Sequence, residues 1–211
     1  MARYTGPVCR LCRRESIKLF LKGERCNTFR CSIEKKRGIP GQNAKARHGK
    51  VSEFGIQLRE KQKTKRIYGL LEKQFRNYFE KADRIIGVTG ENLLIYLERR
   101  FDNVIYRLGF APSRKLAKQL VIHKHFLING KRVDRPSYML KEGDVISIKQ
   151  TSKDSLIFKQ LIEKKEEAFT KVPDWLEIKE DVLEGKVVRA PMRKDIDISV
   201  NEQLIVELYS K

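Results

Sequence analysis

From Ser52 onward the chain carries apolar residues at helical spacing. Phe54 and Leu58 are four apart, with Gln62 continuing the row. That periodicity predicts a helix through 52–66 with one apolar stripe and an opposite basic face at Arg59, Lys63 and Arg66. The stretch "GLLEKQFRNYFEKADRI" repeats the pattern through Leu71, Phe75, Tyr78 and Phe79, which reads as core rather than as a stacking surface for bases. In "TGENLLIYLERRFDNVIYRLGFA", Thr89 is a candidate N-cap, and Leu93, Leu94 and Leu97 share one face. The helix is expected to break near Arg99–Asp102 and resume through Val104, Ile105 and Leu108.

The period then changes. Ser113 after Pro112 caps a helix over 114–122, with Leu116, Leu120 and Val121 inward and Arg114, Lys115 and Lys118 outward. "HFLI", then Asn129-Gly130, then "KRV" predicts a hairpin, because both turn residues tolerate positive φ. "KEGD" is a second turn feeding the alternating strand "VISIK". A helix through "SKDSLIFKQLIEKK" follows, with Leu156, Ile157, Leu161 and Ile162 apolar. Strands are expected around Trp175–Ile178 and Val187–Arg189. Ser199 with Glu202 reads as a capping box opening a last short helix. The class is therefore α+β, with a mostly helical body and a small mixed module.

The first 45 residues fit neither pattern. Their large apolar side chains are few: Val8, Leu11, Ile17, Leu19, Phe20, Leu21, Phe29, Ile33 and Ile39. A segment this short cannot bury enough surface to fold unaided. Residues 34–52, "EKKRGIPGQNAKARHGKVS", are Gly-rich, basic and aperiodic, and read as an extended linker that gains order against a partner. His48 within it reads as solvated or near phosphate.

Charge sharpens this picture. The 211 residues carry a formal net charge of +19. Residues 1–66 hold 19 Lys/Arg against 5 Asp/Glu, and residues 99–135 hold 10 against 2. Residues 150–211 hold 11 against 13. Two basic zones ahead of a near-neutral tail imply a polyanionic partner held along an extended surface. The N-terminus lacks an apolar signal core, and no uncharged run exceeds seven residues. The expectation is an intracellular chain with no membrane span.

All four cysteines lie in "CRLCRRESIKLFLKGERCNTFRC", spaced C-x2-C-x13-C-x4-C as Cys9, Cys12, Cys26 and Cys31. Disulfides need an oxidising compartment. Redox chemistry suits one C-x-x-C and leaves the second pair superfluous. Two close pairs joined by a loop fit a tetrahedral metal, each pair presenting two sulfurs from one tight turn. A structural zinc contributes roughly 10–16 kcal/mol of apparent binding energy to folding. One Zn2+ on four thiolates leaves net negative charge that Arg10, Arg13, Arg14, Arg25 and Arg30 offset. Spacing leaves an iron–sulfur cluster open as the alternative. Four protein ligands leave no position for substrate, and the chain has no P-loop, H-E-x-x-H or G-x-S-x-G. The three histidines, His48, His123 and His125, pair with no Cys or Ser at a catalytic spacing. The reading is a non-enzyme with no small-molecule substrate.

Several words together resemble a known family. "RYTGPVCRLCRRE", "LKGERC", "LREKQK", "RIYG", "RFDNVIYRLGFA", "VDRPSY" and "NEQLIVELYS" are similar to bacterial small-subunit ribosomal protein number four, over essentially the whole chain. Residues 99–163 also resemble the wider alpha-L RNA-binding module. The resemblance implies a metal-stapled knob, held by the four cysteines, with basic linker over 1–45. It implies a helical body over 46–98, completed by 166–211, and an alpha-L domain over 99–165. It implies direct, early binding of small-subunit rRNA at a five-way junction in the body, which nucleates assembly. It further implies contact with ribosomal protein number five, a place where messenger RNA enters, an influence on translational accuracy, and a cytoplasmic location in the small subunit. Lys124 stands where the family pattern has Gly, which leaves the left-handed turn there open.

The expected RNA-binding residues are Arg3, Arg10, Arg13, Arg14 and Arg25 of the knob, then Lys45, Arg47 and Lys50 of the linker. Arg59, Lys63 and Arg66 follow on the first body helix. Arg107, Ser113, Arg114, Lys115, Lys118, His123, Lys124, His125 and Lys131 complete the set. An exposed helix N-terminus at Ser113 with added cations suits a phosphate. Recognition is expected by shape and backbone, because the deep groove of A-form RNA excludes side chains. An RNA-modifying enzyme or regulator carrying the alpha-L module is the alternative. A zinc-dependent DNA-binding regulator suits the long basic linker poorly.

Overall fold

The computed structural model describes residues 4–41, 50–153, 155, 158–159, 172–179 and 183–210. The chain divides into two compact units: Met1–Leu93 with Ile198–Lys211, and Leu94–Asp197. The boundary falls inside helix α4 (Thr89–Glu98).

In the first unit, the knob consists of α1 (Cys9–Glu15) and a 3-10 turn at Gly23–Asn27. Its apolar interior is small. Leu19 and the sulfurs of Cys12, Cys26 and Cys31 are buried, whereas Ile17, Phe20 and Phe29 face solvent. Helices α2 (Glu53–Ile67) and α3 (Glu72–Asp83) follow. Ser52 opens α2 as expected, its hydroxyl accepting from the Gly55 N–H at 3.2 Å.

The face that α2 buries differs from the expected stripe. Gln57, Lys61, Thr64 and Ile67 turn inward, while Phe54 is exposed and Leu58 only half-buried. The cause lies in α8 (Glu202–Tyr209), which packs along α2 and brings polar partners. Gln57 donates to Glu207 at 2.9 Å. Lys61 donates to Glu72 at 2.6 Å and sits 5.6 Å from the Tyr209 ring centre. The Tyr209 ring packs on Phe79 at 4.6 Å and Phe75 at 6.4 Å. Phe75 and Phe79 are thus core, as the periodicity suggested. Helix α8 is capped by Asn201, whose side chain accepts from the Gln203 N–H at 3.2 Å, so the expected Ser199–Glu202 box is replaced. Thr89 begins α4 and donates to Asp83 at 3.3 Å.

In the second unit, α5 (Phe101–Arg107) and α6 (Arg114–Ile122) pack on a five-stranded antiparallel sheet of order β2-β1-β3-β5-β4. The strands are β1 (Phe126–Ile128), β2 (Lys131–Arg132), β3 (Val145–Ile148), β4 (Leu176–Lys179) and β5 (Glu184–Val187). Asn129 and Gly130 take φ of 49° and 76°, so the hairpin turns where both residues allow it. Asn129 ties this tip to the next turn, donating to Asp144 at 2.8 Å and accepting from the Val145 N–H at 2.9 Å. A short helix, α7 (Gln150–Lys153), follows β3. Most of the expected helix over 152–165 lies outside the described residues, as do Arg3, Lys45, Arg47 and His48.

Two expectations about the tail are corrected. The second strand runs Glu184–Val187 rather than 187–189, and β4–β5 completes the sheet of the module instead of the helical body. Ile146 pairs with Gly185, and Gly185 with Ile178. A Cβ on Gly185 would lie 2.8 Å from Leu108 Cδ2, so glycine lets the strand approach that core side chain. Trp175, Leu176 and Val187 join the same core as Phe101, Phe126 and Ile146. Of the tail, only Ile198–Lys211 groups with the first unit. The expected boundary of 166–211 is therefore too early.

Candidate nucleic-acid interface

On the knob, Arg10, Arg14 and Arg25 are exposed, and Arg13 is half-buried with a 3.4 Å bond to the Gly38 carbonyl. Lys50 is exposed beyond the linker. The four cysteines are unpaired thiols. Burial pushes the Cys12 thiol up; a backbone N–H from Leu19 opposes this, and the neighbouring Cys26, Cys9 and Cys31 push it further up. Cys26 is likewise raised by burial and accepts from the Lys22 N–H at 3.4 Å. The sulfurs thus lie within one another's electrostatic reach, and two of them receive amide hydrogens. That donor set fits a thiophilic cation. Among the described residues, however, no group of three or more His, Cys, Asp or Glu side chains is arranged to hold a metal ion.

The basic face of α2 is less free than its sequence implies. Arg59 donates to Glu15 at 3.2 Å, and Arg66 forms a second ion pair with the same carboxylate. Burial raises the pKa of Glu15, while Arg66 and Arg59 pull it back down. Burial lowers that of Arg66, opposed by Glu15. Lys63 is taken by Glu60 at 2.6 Å. Sequence reasoning missed Glu15, although an acid inside so basic a run is itself a signal. It fastens α1 to α2.

In the second unit Ser113 caps α6, accepting from the Leu116 N–H at 3.3 Å. Lys115, His123, Lys124 and Lys131 are exposed beside it, as is Arg132, and Lys118 is half-buried. Lys124 takes a left-handed backbone conformation, with φ of 63°. Its ammonium lies 3.5 Å from Asp134. His125 is half-buried, bonded to Ser152 at 3.0 Å, and held below the ordinary imidazole range by burial, then by His123 and Lys149. That environment favours the neutral imidazole.

Two expected contacts point elsewhere. Arg107 is buried, with Nε and Nη2 donating to the two Glu98 oxygens at 3.0 and 2.9 Å and Nη1 reaching Asp197 at 3.1 Å. It is withdrawn from the interface because a carboxylate inside the fold needs it. Arg114 lies 4.3 Å from the Tyr106 ring centre and donates to Asn103 at 2.7 Å. It is held against α5 instead of projecting from α6.

Residues 3–98 match the Ribosomal protein S4/S9 N-terminal domain, and residues 99–146 match the S4 domain. The chain is 56% identical to small ribosomal subunit protein uS4 of Heliobacterium modesticaldum, over the full length of both. It is 57% identical to uS4A of Alkaliphilus oremlandii and 55% identical to uS4 of Geobacter sulfurreducens, again across both chains. The chain belongs to the uS4 family of small ribosomal subunit proteins. Members of the uS4 family are structural ribosomal proteins and not enzymes. The S4 domain match ends within β3, so β4 and β5 extend the sheet past the residues matched. No described helix is long and apolar enough to cross a membrane.

Proposed function

We propose that this chain binds small-subunit rRNA as a structural component of the small ribosomal subunit and helps nucleate assembly of its body. The observation that carries the reading is full-length similarity to small ribosomal subunit proteins uS4. The exposed cations agree with it: Arg10, Arg14 and Arg25 on the knob, and Lys115, Lys124 and Lys131 on the module. They supply phosphate contacts, with shape rather than base edges setting specificity. The RNA contact we propose lies at a five-way junction, with ribosomal protein number five as neighbour, close to where messenger RNA enters. Through those contacts the chain influences decoding accuracy, in the cytoplasm.

The four cysteines hold one structural zinc in this reading. Cys9, Cys12, Cys26 and Cys31 supply the ligands, and the metal contributes folding energy to a segment with little apolar interior. Elemental analysis and an absorption spectrum of anaerobically purified protein separate colourless zinc from a coloured iron–sulfur cluster.

Binding to a full-length small-subunit rRNA transcript across a salt series tests the RNA reading. About 6–10 neutralised phosphates predict a loss of roughly 10³–10⁵ in affinity between 50 and 200 mM salt, on the DNA scale. Absence of binding at low salt refutes it.

A further inference from the structure

The loop "CNTFRC", Cys26–Cys31, carries an aromatic ring that the fold does not use. Phe29 is 75% exposed, more than any other aromatic residue described. The loop that presents it is closed by short-range bonds. Thr28 donates its hydroxyl proton to the Arg25 carbonyl at 3.1 Å and accepts from the Arg30 N–H at 3.3 Å. The Cys31 N–H donates to the Thr28 carbonyl at 3.0 Å. Buried cysteines anchor both ends. So exposed a phenylalanine adds little to the core, yet it has about 150–250 Å² to bury if something covers it, the range for aromatic side chains.

The surroundings select what covers it. Arg25 and Arg30 flank the ring and are exposed, with the Arg30 guanidinium carbon 5.8 Å from its centre. An apolar protein groove would strip water from both cations without pairing them. An unpaired nucleotide offers a flat π-face for the ring and phosphates for the arginines. We propose that Phe29 is a stacking platform for one unpaired nucleobase, with Arg25 and Arg30 holding the adjoining phosphates. The proposal rests on the RNA-binding reading above.

The test uses full-length protein and the small-subunit rRNA transcript, with Phe29→Ala, Phe29→Leu and Phe29→Trp. Because the side chain is exposed, all three variants should melt like the parent, checked by circular dichroism. Phe29→Ala and Phe29→Leu should bind about ten- to a hundredfold more weakly with an unchanged salt slope, and Phe29→Trp should retain affinity. One unpaired base protected from dimethyl sulfate by the parent should become reactive with Phe29→Ala. Equal affinity of Phe29→Ala and parent overturns the proposal. Equal affinity of Phe29→Leu also overturns it, since greasy contact would then suffice. Failure of the parent itself to bind removes the underlying RNA reading, a distinguishable result.

Discussion

Replacing Arg107 by methionine separates a stabilising role from an RNA contact. The Glu98 side chain is only 1% exposed and accepts from Arg107 through both of its oxygens, with Asn103 donating to it as well at 2.7 Å. The variant strands that carboxylate in the interior. Breaking a buried pair in this way costs about 3–5 kcal/mol. The other partner, Asp197, is mostly in water and loses little. Trp175, the single tryptophan, is fully buried in the same unit, so its fluorescence reports that unit's unfolding. With a urea slope of about 2 kcal/mol per molar, the midpoint should fall by roughly 1.5–2.5 M. The double variant Glu98→Gln/Arg107→Met removes both charges and should recover much of the loss. Where Arg107→Met remains folded, at low denaturant, its RNA affinity should keep the parental salt slope. An unshifted Trp175 midpoint together with a shallower salt slope would return Arg107 to the interface and refute the burial argument.

Cys9→Ser should unfold the knob and weaken rRNA binding while the Trp175 transition stays in place; coincident loss of both transitions, or full retention of binding, counts against a locally stapled knob. Lys124→Gly should raise the Trp175 midpoint, because a non-glycine residue at φ of 63° costs about 1 kcal/mol; a lowered midpoint would show no strain there. Burial alone would raise the Glu72 carboxyl, but hydrogen bonds from Lys61, Lys65 and Tyr209 outweigh it and bring it to about 2. Its contribution is present above the ordinary glutamate range near 4.5 and is lost as pH falls toward 2. Glu72→Gln should therefore melt below the parent at pH 7 by helical circular dichroism, with the gap closing near pH 2. The carboxylate is about half exposed, so the difference should stay under about 1 kcal/mol.

What the sequence made legible was local. Ser52 and Ser113 cap helices with their own hydroxyls, and Asn129-Gly130 turns by its own φ preference, so nothing distant had to be known. The break between α4 and α5 was legible as well, although residues 136–140 bond to it across the fold. Where the reading failed, the deciding partner lay far along the chain. Gln57 and Lys61 become interior residues only because Glu207 and Tyr209 come back to meet them. Arg107 looked like one cation among many until Glu98 and Asp197 claimed it. Ser199 lost its capping role to Asn201, two positions on, where the helix begins. At the candidate interface, charge count located the basic zones but could not tell free cations from those spent on Glu15.

The order in which the sheet acquires its strands has a consequence for biosynthesis. β3 has β1 on one side and waits for β5 on the other, and β5 emerges about forty residues later. At roughly 5–20 residues per second, the nascent module carries an unpaired central strand for about 2–8 s. During that interval its backbone donors and acceptors are open to any other extended chain, a recognised route to aggregation. A chain terminated before Leu176 would lack both β4 and β5 and keep that edge of β3 open permanently.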